Sequence, residues 1–168
     1  MHWYVLRTLA GKEEKSLVML QYLFKDIQFI FPKRRLSWRK NGAVLDVIKP
    51  LFRGYLFVSA NDKHIKELDY WMRDKKLDIR FVKIGRLIIP ITSEEVQLIK
   101  QLICNGDIVE RSEIIKIGEE VKIVNGPLVG LEGIVEKHSK RDHRVTIKVT
   151  ISGTEQRVEL EGVWLETK

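Results

Sequence analysis

From Arg144 to Ile151 polar and apolar side chains alternate without a break, as Arg-Val-Thr-Ile-Lys-Val-Thr-Ile. A two-residue period places Val145, Ile147, Val149 and Ile151 on one face, so the stretch is predicted as a half-buried strand. Its β-branched residues also make it a poor helix. Ser152-Gly153 turns the chain back into a further strand, Gln156 to Leu160. Upstream, Val121 and Ile123 alternate with Glu120 and Lys122, Asn125-Gly126-Pro127 makes a turn, and Gly130 and Gly133 punctuate the stretch from there to Val135. Residues 114–168 therefore read as about five short antiparallel strands. Strands this short bury their apolar faces and protect their edges by closing into a small SH3-like barrel.

The charge distribution separates that barrel from the rest. Residues 1–104 hold 20 Lys and Arg against 11 Asp and Glu, a net of +9, whereas residues 113–168 are at −1. Asn105-Gly106-Asp107 ends a helical pattern, and no apolar period resumes before about Ile114. The reading is two domains, 1–104 and 114–168, joined by a linker at 105–113. The formal charge of +7 over 168 residues favours acidic partners such as nucleic acid. Cys104 is the only cysteine, which excludes intrachain disulfides and Cys-based zinc sites. No apolar run approaches the ~18 residues of a membrane span, and no signal-peptide pattern opens the chain. No membrane partner is expected.

The first domain alternates strands and helices. Trp3 to Thr8 reads as a strand, Lys12 to Phe24 as a helix with Leu17, Leu20 and Phe24 on one face, and Ile27 to Phe31 as a second strand. Pro32 interrupts, and a basic segment comes next, Lys33 to Lys40, ending in Asn41-Gly42, the preferred type I′ hairpin turn. Leu51 to Val58 is the strongest strand and is apolar at both odd and even positions. A helix is expected over 63–75 with Asp62 as its cap, then short strands at 81–85 and 87–89. Thr92-Ser93-Glu94-Glu95 is a capping-box signature for a last helix. The class is α+β, and the β-α-β-β-α-β order with one extra helix matches a ferredoxin-like layer.

Residues 117–135, from Ile117-Gly118 through Asn125-Gly126-Pro127-Leu128-Val129-Gly130-Leu131-Glu132-Gly133 to Val135, resemble a KOW motif. Trp3-Tyr4-Val5-Leu6 with Gly11-Lys12-Glu13, then Leu51-Phe52-Arg53-Gly54-Tyr55-Leu56-Phe57-Val58, then Pro90-Ile91-Thr92-Ser93-Glu94-Glu95-Val96 resemble three landmarks of the NusG N-terminal domain. The resemblance covers nearly the whole chain. It implies a bacterial, cytoplasmic, monomeric transcription elongation factor whose N-terminal domain binds the clamp helices of RNA polymerase and whose KOW domain recruits a second partner. Arg53 departs from the Pro common in the family. With the basic first domain and the basic loop at 137–144, that departure makes the chain look most like the specialised LoaP antiterminators.

The resemblance assigns polymerase binding to Phe52, Tyr55, Phe57, Phe81 and Ile84, with simple core packing the competing reading for Phe57 and Phe81. Trp3 and Tyr4 point to opposite faces of their strand, so only one of them can reach the surface. RNA binding is expected at Lys137, His138, Lys140, Arg141, His143 and Arg144, where cations concentrate in an otherwise acidic module and can neutralise phosphates, with a plain solvated turn the competing reading. The loop has no aromatic for base stacking, which favours a structured RNA hairpin over a bare strand. The segment Lys33–Lys40 is a candidate contact to DNA or RNA, with a solvated hairpin tip equally open. No phosphate loop, nucleophile elbow or metal cluster is legible, so neither catalysis nor a cofactor is expected. The alternatives are a ribosome-associated KOW protein, or a general NusG whose KOW recruits a protein.

Overall fold

The computed structural model describes residues 1–104 and 106–167. In chain order its elements are β1 (His2–Arg7), α1 (Glu13–Leu23), β2 (Gln28–Ile30), β3 (Lys33–Lys40), β4 (Ala43–Pro50), β5 (Tyr55–Ala60) and α2 (Asp62–Asp74). Next come β6 (Arg80–Phe81), β7 (Lys83–Ile84), β8 (Leu87–Ile88), α3 (Ser93–Leu102), β9 (Ile108–Val109), β10 (Ser112–Ile117) and β11 (Glu120–Asn125). A 3₁₀ turn at Glu132–Ile134 precedes β12 (Val135–Ser139), β13 (Arg144–Ile151) and β14 (Thr154–Trp164).

Two compact units result. The first comprises Met1–Phe31, Phe52–Val96 and Ile151–Gly153; the second comprises Pro32–Leu51, Gln97–Thr150 and Thr154–Lys168. These limits differ from the division read from charge. The β3–β4 hairpin groups with the barrel residues, and the stretch expected as a linker contains β9 and the start of β10. The physical reason is pairing: Lys33 and Arg34 of β3 lie parallel to Ile108 and Val109, and the Lys33 amide donates to the Asp107 carbonyl at 2.7 Å. Asn105, which opens the expected linker, lies outside the described residues.

In the first unit the sheet order is β2-β5-β1-β6, antiparallel throughout, the ferredoxin-like order expected for two split β-α-β units. One face, carrying Tyr4, Leu6, Phe29, Leu56, Val58 and Phe81, packs on Leu17 and Leu20 of α1 and on Ile65, Leu68 and Met72 of α2. The helical spacing in the sequence delivers those residues to one stripe each. Asn61, not Asp62, caps α2: its Oδ1 accepts from the His64 amide at 2.9 Å. The capping box before α3 is present, Thr92 Oγ1 accepting from the Glu95 amide at 3.2 Å and Glu95 Oε2 accepting from the Thr92 amide at 2.7 Å.

The expected strand at 51–58 begins only at Tyr55. Gly54 has φ +78°, its carbonyl accepts from the Thr8 amide at 2.8 Å, and a Cβ there would stand 3.1 Å from the Thr8 oxygen. A left-handed residue against another backbone suits glycine. The two-sided apolar pattern has two sources: Leu51 and Phe52 precede the strand, and within it Leu56 and Val58 face the helices while Phe57, on the other face, packs on Phe52 and Trp3. The buried Glu13 carboxylate secures this turn, accepting from the Gly54 amide at 2.8 Å and from the Gly11 amide at 2.7 Å.

In the second unit five strands run in the order β11-β10-β14-β13-β12, around a core of Ile114, Ile123, Leu128, Val145, Ile147, Val149, Val158 and Leu160. Val145, Ile147 and Val149 are buried while Lys148 and Thr150 are exposed, as the alternation predicts. The β3–β4 hairpin turns at Asn41 and Gly42, with φ +51° and +78°, both positive as a type I′ turn requires. Together with β9 it forms a three-stranded sheet in this unit.

Candidate nucleic-acid and polymerase interfaces

The residues assigned to polymerase divide by accessibility. Phe52, Phe57 and Phe81 are buried, at 2%, 0% and 4% exposure, and cannot present their rings as surface anchors. Phe57 sits at the centre of β5 with Phe52 5.9 Å and Trp3 6.4 Å away, ring to ring. Phe81 packs edge-on to Tyr4 at 6.2 Å within the helix-covered core. Core packing is therefore the correct reading for Phe57 and Phe81, and it extends to Phe52. Tyr55 is half-buried and Ile84 is 49% exposed, on a β7–β8 hairpin that also leaves Leu87 exposed. Of Trp3 and Tyr4, Tyr4 is the buried one. Its hydroxyl donates to Asp62 Oδ1 at 2.9 Å, and burial, reinforced by that carboxylate, pushes its pKa up to about 12.

The cationic corner is the β12–β13 turn. Lys140, Arg141 and His143 are exposed in it, and Lys137 and His138 are exposed at the end of β12 that leads into it. The turn is held by Ser139, whose Oγ donates to Asp142 Oδ2 at 2.7 Å and accepts from the Asp142 amide at 3.2 Å. Beside it, Glu136 pairs with Arg157 at 2.8 Å, and that hydrogen bond holds the Glu136 carboxyl below the usual carboxylate range. Glu136 is thus partly neutralised, which leaves Asp142 as the acid within the turn, while Lys137, Lys140 and Arg141 form no ion pair among the described residues.

Arg144 behaves differently from the other expected RNA contacts. Its side chain is only 18% exposed, with Nη1 3.9 Å from Glu161 Oε2 and Nη2 donating to the Ser37 carbonyl at 2.6 Å. Glu161, 5% exposed, also accepts from the Ser37 amide, accepts from Ser37 Oγ at 2.6 Å, and lies 3.1 Å from Arg111 Nε. Arg111 reaches on to Asp46 of β4, and Arg34 donates to the Glu159 carbonyl. Burial lowers the pKa of the Arg34 guanidinium, which nonetheless stays charged at neutral pH. The effect of this cluster is to fasten the β3–β4 hairpin to β14. Sequence reading missed it, because Glu161 falls at an outward position in the alternation of Val158, Leu160 and Gly162 and its partners are far away in the chain.

The hairpin therefore spends part of its charge internally. Arg35 pairs with Glu110 at 3.0 Å, whereas Arg39 and Lys40 are exposed and form no ion pair among the described residues. Lys49 Nζ sits 4.1 Å from the ring centroid of Trp38, a cation–π contact, and Trp38 is 48% exposed. The described residues contain no group of three or more His, Cys, Asp or Glu side chains suited to hold a metal ion.

The sequence model described as transcription termination factor nusG matches residues 1–100. The chain belongs to the NusG family of transcription factors. NusG relatives align with it over nearly its full length. The transcription termination/antitermination protein NusG of Thermus thermophilus is 27% identical over 95% of this chain and 94% of its own. That of Treponema pallidum is 29% identical over 98% and 97%, and that of Staphylococcus aureus 26% over 95% and 91%. Residues 117–135 and the barrel that holds them thus lie within the NusG alignment, although the family match itself ends at residue 100.

Proposed function

We propose that this NusG-family protein is a specialised elongation and antitermination factor of the LoaP kind, acting as a cytoplasmic monomer. It holds the RNA polymerase clamp helices through residues 1–104 and a structured RNA through the KOW residues 114–168, without catalysis or cofactor. The observation that carries the RNA assignment is the exposed, unpaired set Lys137, Lys140 and Arg141, with His138 and His143 beside them, on the β12–β13 turn and the end of β12 that leads into it, in a module whose net charge is otherwise negative. Such a set can neutralise three or so phosphates. Arg144 supports the turn from behind rather than contacting RNA. On the first unit, Tyr55 and Ile84 are the accessible members of the polymerase set, and Phe52, Phe57 and Phe81 shape the surface from within.

A second reading, a general factor whose KOW recruits a protein, is favoured by the full-length similarity to proteins named simply NusG. Lys140→Ala with Arg141→Ala in the full chain separates the two. Under the RNA reading the variant loses affinity for an RNA stem–loop and still co-purifies with polymerase. Unchanged RNA affinity overturns it.

A further inference from the structure

The contact between Arg144 and Ser37 brings together two cationic segments that are about a hundred residues apart in sequence. Arg144 closes the 137–144 turn, and Ser37 immediately precedes Trp38, Arg39 and Lys40 on β3. Arg141 and Lys40 each lie three residues along the chain from that contact, a reach of at most about 11 Å even if the chain is fully extended. Trp38 faces Leu45 across the hairpin, shares its side of the sheet with Lys49, and is half exposed. The turn has the cations for a phosphate backbone but no aromatic, and the hairpin supplies one.

Resting on the RNA reading above, we propose that the β12–β13 turn and the tip of the β3–β4 hairpin form one composite RNA surface, with the turn on the stem phosphates and Trp38 stacked on an unpaired base of the loop. Charge complementarity supports an anionic occupant: Arg39, Lys40, Lys137, Lys140 and Arg141 are all exposed without an ion-pair partner among the described residues. The Glu161 cluster fixes the spacing of the two parts, so the surface is pre-organised. Holding a stem by its phosphates alone does not need an aromatic. A surface that joins phosphate cations to a stacking ring selects a stem with an open loop over a blunt duplex.

The test uses the full chain and two fluorescent RNA probes of the same stem, about ten base pairs, one closed by an unpaired loop and one a blunt duplex. Trp38→Ala is expected to weaken stem–loop binding by about 5- to 150-fold and to leave the blunt duplex within about twofold. Arg39→Ala with Lys40→Ala is expected to weaken both probes and to reduce the log–log salt slope by about 1.5. Circular dichroism and the melting temperature check that each variant is folded. If Lys140→Ala with Arg141→Ala weakens binding while the hairpin variants do not, the composite surface is overturned and the RNA reading stands. If only the hairpin variants matter, or if the wild-type chain binds neither probe, both are overturned. Equal competition by a DNA hairpin of the same sequence overturns the assignment to RNA.

Discussion

The Arg144 guanidinium donates from Nη2 to the Ser37 carbonyl at 2.6 Å, and its Nη1 lies 3.9 Å from Glu161. A residue at the end of a basic loop thus serves as a brace, and the carboxylate it approaches is among the most enclosed charges in the second unit. Removing that carboxylate leaves the Ser37 amide and hydroxyl without their acceptor and removes the neighbouring counter-charge from Arg111 and Arg144. Glu161→Ala is expected to cost about 3 kcal/mol, the scale for breaking a buried, hydrogen-bonded ion pair. Urea unfolding checks this: the midpoint should fall with an unchanged slope. A midpoint equal to wild type would show the cluster to be dispensable.

Burial decides what the aromatic residues of β5 can do. Phe57→Ala is expected to destabilise the fold by about 3–5 kcal/mol, because a fully buried ring leaves a cavity. Tyr55→Ala should cost little stability and weaken binding to a clamp-helices fragment about thirtyfold, the effect of losing an interface anchor worth about 2 kcal/mol. Calorimetric titration alongside thermal melts separates the two. A folded Tyr55→Ala protein with wild-type affinity would remove Tyr55 from the interface.

Tyr4 gives a pH dependence with a definite sign. Its pKa is raised from 10.0 to about 12 in the folded chain, because burial and then Asp62 disfavour the phenolate. The neutral hydroxyl therefore contributes stability that is fully present below pH 10 and is lost as pH rises towards 12. The stability difference between wild type and Tyr4→Phe should shrink across that window. Urea midpoints of both proteins at matched pH values test it, and a constant difference would contradict it.

Much of this architecture was legible because its signals are local. The alternation at 144–151, the Asn41-Gly42 turn and the Thr92–Glu95 box each specify backbone geometry within a few residues, and each has the expected form. What was not legible depends on distant partners. β9 is two residues long and is defined only by its pairing with β3. Phe52 reads as a surface candidate until Gly54 is seen to turn the chain ahead of the strand. Arg144 reads as one more loop cation until Glu161 and Ser37, from opposite ends of the sequence, close around it. The exposed cations at 137–143 were legible for the converse reason, since solvated charge needs no partner.

If the β12–β13 turn holds RNA through its phosphates, as proposed, binding must weaken steeply with salt. For an RNA stem–loop and the full chain, log K against log salt is expected to fall with a slope of roughly −2 to −4. Lys140→Ala with Arg141→Ala should flatten that slope by about 1 to 2 and lower the affinity. Superimposable lines for the variant and wild type would show that Lys140 and Arg141 do not hold the RNA.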